Sequence, residues 1–388
     1  MRNIEEKASS CALGRIFGFE PRTALALINH LGSAEAVFKL DHDALTALLG
    51  PHSEARHQIN SKAQENAEKE IIALNSQGIS YVGWTENTYP SLLKECEDAP
   101  IGLYIRSENP VEDLWKSNRS ISIVGTRDIS PYGREWCERI VRGLHESTDP
   151  PLIISGLALG VDICAHKAAI SCGLPTIGVM ATGPEAVYPH RHLETAREMA
   201  RTPGCALLTD YPPGTPPLPL HFLRRNRIIA GLAQATILIE SRLKGGGMMT
   251  SHLAFSYNRE VYALPGRIDD IRSQGCNELI RKKIAEPITS VPQLLDSLGM
   301  RQTGNRKHQS FNDMLRQRYG CSHTDDKIAA MERFLNAIKA SRGITIEELA
   351  VSSGLPYQIA MNLCRTLEYD DIISIDLLQR CSINTKIL

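Results

Sequence analysis

The residues best suited to chemistry in this chain are glycines and arginines that follow short apolar runs. In Ile123-Val124-Gly125-Thr126-Arg127, followed by Ser130-Pro131, the glycine allows close backbone approach to an anion. Free N–H groups at a helix start would point at that anion, and Arg127 would add a fork of donors. A second segment, Ile154-Ser155-Gly156-Leu157-Ala158-Leu159-Gly160-Val161-Asp162, again places glycines after an apolar run. It is not a phosphate loop of the Walker A kind, because Val161-Asp162 stands where Lys-Ser/Thr would be required. Asp162 and His166, at i,i+4 spacing, form either an acid–base pair or, more plainly, a helix-start carboxylate and a packed histidine. Third comes Phe222-Leu223-Arg224-Arg225-Asn226-Arg227, and fourth Lys244-Gly245-Gly246-Gly247-Met248-Met249-Thr250. One chemical theme in four loops predicts a phosphate-binding edge.

These loops must be presented by something regular. Buried-strand runs occur at Ser120–Val124, Leu152–Ile154, Thr176–Val179, Ala206–Leu208, Thr236–Ile239 and Val261–Leu264. Their starts lie roughly 24–32 residues apart, the length of a βα unit. Wholly buried strands alternating with helices predict a parallel sheet covered on both faces, with ligands outside the carboxyl ends of the strands. Two further strands are expected near Ile79–Gly83 and Gly102–Ile105.

The flanks differ from this core. Residues 1–75 have helical spacing (Leu25, Ile28, Leu31) broken by Gly32 and Gly50, which predicts a small helical domain. Within it, Phe17-Gly18-Phe19-Glu20-Pro21 is either a DNA-backbone hairpin or a plain tight turn; Glu20 replaces the second glycine that such hairpins use. Residues 76–298 are the core, and 299–326 read as a polar linker with Arg301, Arg306, Lys307, Arg316 and Arg318 against Asp313. In 327–388, Thr345-Ile346-Glu347-Glu348 has the form of a capping box. Ser353-Gly354 turns the chain, Pro356 opens a second helix with Ile359, Leu363 and Leu367 as its core stripe, and Ile372–Ile375 would be a wing strand. That order resembles a winged helix-turn-helix.

Composition limits the partners. The chain has 388 residues, with 43 Lys+Arg against 44 Asp+Glu for a net charge of −1, so it is not a uniformly basic nucleic-acid binder. Pro219 to Thr250 nevertheless holds five Lys/Arg (Arg224, Arg225, Arg227, Arg242, Lys244) against one acid, Glu240. Aromatics are 5 % of residues, which limits base stacking to candidates such as Phe222, Tyr188 and Tyr211. No two of the ten cysteines have C-x2-C spacing, so reduced cysteines and no metal are expected. The start MRNIEEKASSCALG lacks a signal-peptide profile and no apolar run would span a bilayer, so a cytoplasmic protein is expected.

VGTR, SGLALGVDICAH, ATGPEAVYP, YPPGTPP, RRNRIIAGL, ESRLKGGGMMT and LPG-x8-GCNELI stand in the order and spacing of the DNA-processing protein A (DprA/Smf) family, which the chain resembles over nearly its whole length. The resemblance implies an α/β fold with an extended Rossmann-like parallel sheet core. A small N-terminal helical (SAM/helix-hairpin-helix-like) domain and a C-terminal winged-helix domain would flank it. It further implies a non-catalytic, cofactor-free protein that binds single-stranded DNA in natural transformation, loads the RecA recombinase and forms a homodimer through the core. Carried over, the DNA pocket falls on Gly125, Thr126, Arg127, Ser155, Gly156, Gly160, Phe222, Arg224, Arg225, Asn226, Arg227, Lys244, Gly245 and Gly246. Two departures are visible: Leu223 stands where proline is usual and Gly247 where serine is common. The last helix carries Arg365 but runs into Glu368, Asp370 and Asp371, poor charge for a major-groove reader; this module is expected to bind protein or modulate the core.

The rival reading is a Rossmann-like nucleoside monophosphate phosphoribohydrolase, whose loop reads Gly-Gly-x-Gly-Thr with a catalytic glutamate close behind. Here the next glutamate after Thr250 is Glu260, leaving Asp162 and Glu240 as the acids that could substitute. A third reading is a winged-helix transcription regulator with a small-ligand core.

Overall fold

The computed structural model describes residues 2–18, 20–300, 311–320, 324–341, 343–376 and 379–384. The chain divides into two compact units, Met1–Gln302 and Thr303–Leu388.

The first unit begins with helices α1 (Arg2–Phe17), α2 (Pro21–Leu31), α3 (Ala34–Phe38), α4 (His42–Leu49), α5 (Ala55–Gln58) and α6 (Ser61–Asn75). Strand β1 (Ile79–Gly83), helix α7 (Ser91–Lys94) and strand β2 (Gly102–Arg106) follow. Then come β3 (Ser120–Val124), α8 (Pro131–His145), β4 (Leu152–Ser155), α9 (Val161–Cys172), β5 (Thr176–Val179), α10 (Leu193–Arg201) and β6 (Ala206–Thr209). Helix α11 (Pro219–Gly231), β7 (Ala235–Leu238), α12 (Gly246–Ser256), β8 (Glu260–Ala263), α13 (Gln274–Arg281), β9 (Glu286–Pro287) and α14 (Val291–Ser297) complete it.

The sheet order is β1-β2-β6-β5-β4-β3-β7-β8-β9. It is parallel from β6 to β9, with β2 antiparallel to β6 and β1 antiparallel to β2. From β3 the chain runs outward through β4, β5 and β6, then returns to β7 on the other side of β3. The direction of winding therefore reverses between β3 and β7, and such a switch point opens a crevice.

Alternation along the strands explains the layers. Ile121, Ile123, Ile153 and Ile237 point into one core with α8, α9 and α14. Val124, Ile154, Val179 and Leu238 point into the other, with Ile228 and Ile229 of α11 and Ala254 of α12. Each fully buried isoleucine contributes about 1.5–3 kcal/mol by leaving water. Leu13, Leu25 and Ile28 from the first helices join that second core, so α1–α6 sit on the same unit as the sheet. The segment between α1 and α2 is a tight turn: Gly18 has φ +51 and donates to the Gly14 carbonyl at 3.0 Å, while Phe19 lies outside the described residues.

The second unit contains α15 (Phe311–Tyr319), α16 (Asp325–Ala340), β10 (Ile344–Thr345), α17 (Ile346–Ser353), α18 (Tyr357–Tyr369), β11 (Ile373–Ile375) and β12 (Arg380–Ile383). The strands form an antiparallel sheet in the order β10-β12-β11. Part of the stretch read as linker is thus helical. Leu315 and Tyr319 of α15 are buried, and Arg316 pairs with Asp325 at 3.1 Å, so its charges are tied to its own unit; Arg301, Arg306 and Lys307 lie outside the described residues. The capping box at Thr345 and Glu348 is formed, and Gly354 ends α17 at φ 68. The stripe on α18 differs from expectation. Ala360, Leu363, Cys364 and Leu367 face the core, whereas Ile359 is 47 % exposed. The helix starts after Pro356, which acts as its N-cap, and the Ala360 row then meets the core in place of Ile359.

Candidate nucleic-acid interface

The carboxyl ends of β3 and β7 form a cleft of about 420 Å³. Glycines let its walls meet. A Cβ on Gly125 would lie 2.6 Å from Val161 Cγ2, and one on Gly247 would lie 2.6 Å from Leu238 Cδ1 and 3.1 Å from Gly125 Cα. Gly160, at φ +77, passes so close to the β3 loop that a Cβ would sit 2.2 Å from the Thr126 carbonyl oxygen. The Thr126 amide donates to the Glu240 carbonyl at 2.7 Å, and Val161 N–H donates to the Thr126 carbonyl at 3.1 Å. Three loops are thereby locked into one rigid floor.

Of the helices that follow β3, β4 and β7, two bring their own anion. At the start of α8, the Glu240 carboxylate accepts from Ser130 N–H at 2.9 Å and from the Ser130 hydroxyl, while Ser130 Oγ accepts from Gly133 N–H at 3.0 Å. The expectation that the α8 start would offer free N–H groups to a ligand is therefore corrected: Glu240, itself buried, occupies that position. Asp162 sits in the first turn of α9. Helix α12 has no acid in its first turn, and its N-cap, Gly245, has no side chain to cap it. Its first-turn N–H groups are thus the ones available to an outside anion. Around it stand Arg127, Arg242 and Lys244, all exposed and all lining the cleft.

Helix α11 distributes its charge run in different directions, because successive residues are rotated by about 100°. Phe222, Arg225, Asn226 and Ile229 share the face that lines the cleft. The Arg225 side chain is buried and donates to the carbonyls of Gly156, at 2.6 Å, and Val179. Burial lowers its pKa to about 10, against the opposing pull of Asp162. Arg227 points elsewhere, into an ion pair with Asp210 and a hydrogen bond to the Asp98 carbonyl. Burial and the ion pair act oppositely on Arg227, and Asp210 with Asp98 prevails, raising its pKa. Arg224 is half-buried and outside the cleft lining.

Nine of the sequence-predicted residues are brought together in the cleft: Gly125, Thr126, Arg127, Phe222, Arg225, Asn226, Lys244, Gly245 and Gly246. Ser155, Gly156, Gly160, Arg224 and Arg227 are not part of its lining. Ser155 is fully buried and donates to the Ile123 carbonyl at 2.6 Å. At the mouth, the Arg127 guanidinium lies 5.1 Å from the Phe222 ring centre, and the Tyr188 ring lies 5.5 Å from Phe222 on a tilt of 60°. Tyr211 is buried, with its hydroxyl on the His221 carbonyl, and offers no stacking face. Ser241, Arg242 and Thr250 line the cleft as well but were not among the site residues expected from the sequence; the available signal was the glycine segment, which Thr250 ends and which Ser241 and Arg242 precede.

Asp162 and His166 do not form the acid–base pair. His166 Nδ1 shares a hydrogen bond with Thr176 Oγ1 at 2.8 Å. Burial, reinforced by the nearby Arg225 charge, holds its pKa down to about 3. Asp162 is 7 % exposed; burial raises its pKa, and the Arg225 guanidinium opposes that rise.

Residues 80–299 match the family model described as DNA recombination-mediator protein A. The DNA processing protein DprA of Bacillus subtilis is 34 % identical over 228 residues, 59 % of this chain and 74 % of that protein. The DprA of Streptococcus pneumoniae is 36 % identical over 210 residues, 54 % of this chain and 71 % of that protein. The X-ray structure of S. pneumoniae DprA superposes with a TM-score of 0.63 at 28 % identity, covering 74 % of this chain and 95 % of that one. A Helicobacter pylori DprA structure, concerned with that protein's single-stranded DNA binding mode, gives 0.50 at 29 % identity, covering 57 % and 95 %. No helix among the described residues is long and apolar enough to cross a membrane.

Proposed function

The chain belongs to the DNA recombination-mediator protein A family, and on that premise we propose that it is a non-catalytic, single-stranded DNA-binding recombination mediator. It protects incoming strands in natural transformation and loads the RecA recombinase in the cytoplasm, acting as a homodimer through the core. One observation carries the reading. The cleft at the β3/β7 switch joins an uncapped helix start to Arg127, Arg242 and Lys244, with a single acid, Asp162, in its lining among the described residues. Such a surface suits successive phosphates of a flexible strand, and it is tolerant of sequence because the backbone is what it holds. Phe222 and Tyr188 supply the stacking face beside it.

The domain assignment belongs to the same proposal: helices in 1–75, an extended Rossmann-like core in 76–298, a linker in 299–326 and a winged-helix domain in 327–388. The helix and strand order of the second unit supports a winged helix. Glu368, Asp370 and Asp371 near the end of α18 favour a protein partner over a duplex.

Gel-shift titration of single- against double-stranded oligonucleotides at two salt concentrations tests the function. Tight, salt-sensitive retention of the single strand is expected; equal retention of the duplex would overturn it. The hydrolase reading loses Glu240 to Ser130, and free base released from AMP by the purified protein would revive it.

A further inference from the structure

Asp162 is the acid left unexplained by phosphate binding. It lines the cleft beside Arg127, Arg225 and Lys244, in a chain where carboxylates are otherwise kept from that lining among the described residues. Asp128 and Glu240, which adjoin lining residues in sequence, face elsewhere: Asp128 pairs with Arg272 at 2.8 Å and Glu240 is turned into the start of α8. Asp162 is almost wholly buried in the first turn of α9, where the rigid Gly156–Gly160 loop holds its backbone in place. Arg225 is anchored on the wall beside it, because its Nη1 donates to the carbonyls of Gly156 and Val179. The cleft therefore places a carboxylate, balanced by the buried Arg225, behind its ring of exposed cations.

We propose that Asp162 is a specificity-determining residue that makes the cleft favour the singly charged phosphodiester of a strand interior over the doubly charged phosphate monoester of a strand end or a free nucleotide. The inference rests on the reading that this cleft holds DNA phosphates. A phosphodiester carries one negative charge, whereas a monoester carries about 1.5–2 at neutral pH. The extra charge meets Asp162 inside a partly desolvated site, where like charges repel far more than in water. Exposed cations alone would give the opposite preference, for the more highly charged ligand. A binder of long strands gains from this arrangement, since free nucleotides would otherwise compete for every site.

Two competitors differing in that one charge test it: thymidine 5′-monophosphate and its 5′-methyl ester, each used to displace a labelled oligothymidylate from the full chain at pH 8. The methyl ester is expected to displace the strand at a concentration lower by on the order of tenfold, the size of one like-charge contact in a partly buried site. In Asp162→Asn that ratio should shrink or invert, with helical circular dichroism confirming the fold. A wild-type preference for the monoester overturns the proposal, and this arm needs no variant. An unchanged ratio in folded Asp162→Asn, or failure of either compound to compete, overturns it as well. A wild-type chain that does not retain the oligothymidylate at all overturns the DNA-binding reading beneath it, a result distinct from the others.

Discussion

Arg225 donates from its guanidinium to the Gly156 carbonyl at 2.6 Å, across the gap between α11 and the end of β4. That bond, with a second to the Val179 carbonyl, makes the most conspicuous charge of the arginine run part of the cleft's wall. The residue lines the cleft while its Nη1 is held by two backbone carbonyls. Removing it should be felt first in stability. Arg225→Ala is expected to lose about 2–4 kcal/mol, because the buried Gly156 and Val179 carbonyls lose their donor and the buried Asp162 loses the nearby opposite charge. Urea denaturation would show it, and an unchanged midpoint would mean the wall stands without this residue.

Arg127 should behave in the opposite way. It is exposed and its stacking on Phe222 is peripheral, so Arg127→Ala should move stability by less than about 0.5 kcal/mol. Its effect belongs in binding: the slope of log affinity against log salt for single strands should fall by about 0.7. Titrations at several salt concentrations measure this directly. The same affinity and slope as wild type would remove Arg127 from the phosphate-binding set.

Gly160 tests the rigid floor. Its φ of +77, and the 2.2 Å that would separate a Cβ there from the Thr126 carbonyl oxygen, leave no space for a side chain. Gly160→Ala should cost at least about 2 kcal/mol, from the left-handed backbone and the clash together. Thermal unfolding is the readout. A neutral substitution would show that the two loops can part without consequence.

Glu240 separates support from chemistry. Its carboxylate accepts from the Ser130 amide and hydroxyl, so Glu240→Gln should destabilise by about 1–3 kcal/mol while leaving the charge lining of the cleft intact. Denaturant unfolding and oligonucleotide binding on the same preparation would distinguish the two. Loss of binding at unchanged stability would give Glu240 a direct role at the ligand.

His166 makes stability depend on pH in a known direction. Its folded pKa is held to about 3 by burial, below the value near 6.5 of an exposed histidine. Below pH 6.5 the unfolded chain therefore binds a proton that the folded chain refuses. The contribution is complete above pH 6.5 and is lost as pH falls toward 3, by up to about 1.4 kcal/mol per pH unit. Replacing the ring by His166→Gln should flatten the stability profile between pH 4 and 6 relative to wild type. An unchanged slope would show that the ring already takes a proton in the folded state.

Much of the frame was legible in residue order. The apolar-rich runs from Ser120 to Leu264 became the parallel strands within a residue or so, because strands buried on both faces are dominated by apolar residues, with the few polar ones, such as Ser122 and Thr236, hydrogen-bonded to each other. The glycine-bearing segments after those runs fell at the carboxyl ends, where parallel winding places them. Thr345 and Glu348 capped α17 as their spacing requires. Local chemistry decided each of these.

Tertiary structure alone decided which charges serve the cleft. Arg224, Arg225 and Arg227 are near neighbours in sequence, yet helical rotation sends them in different directions. Asp210 and the Asp98 carbonyl claim one, and the Gly156 and Val179 carbonyls claim another. The partners that withdraw Arg227, Arg225 and Glu240 from solvent come from segments distant along the chain, and spacing within a motif carries no record of them. For the same reason the sequence shows a concentration of positive charge between Pro219 and Thr250, while the folded chain places the uncapped start of α12 in the cleft, with Arg127, Arg242 and Lys244 around it and Asp162 set against them.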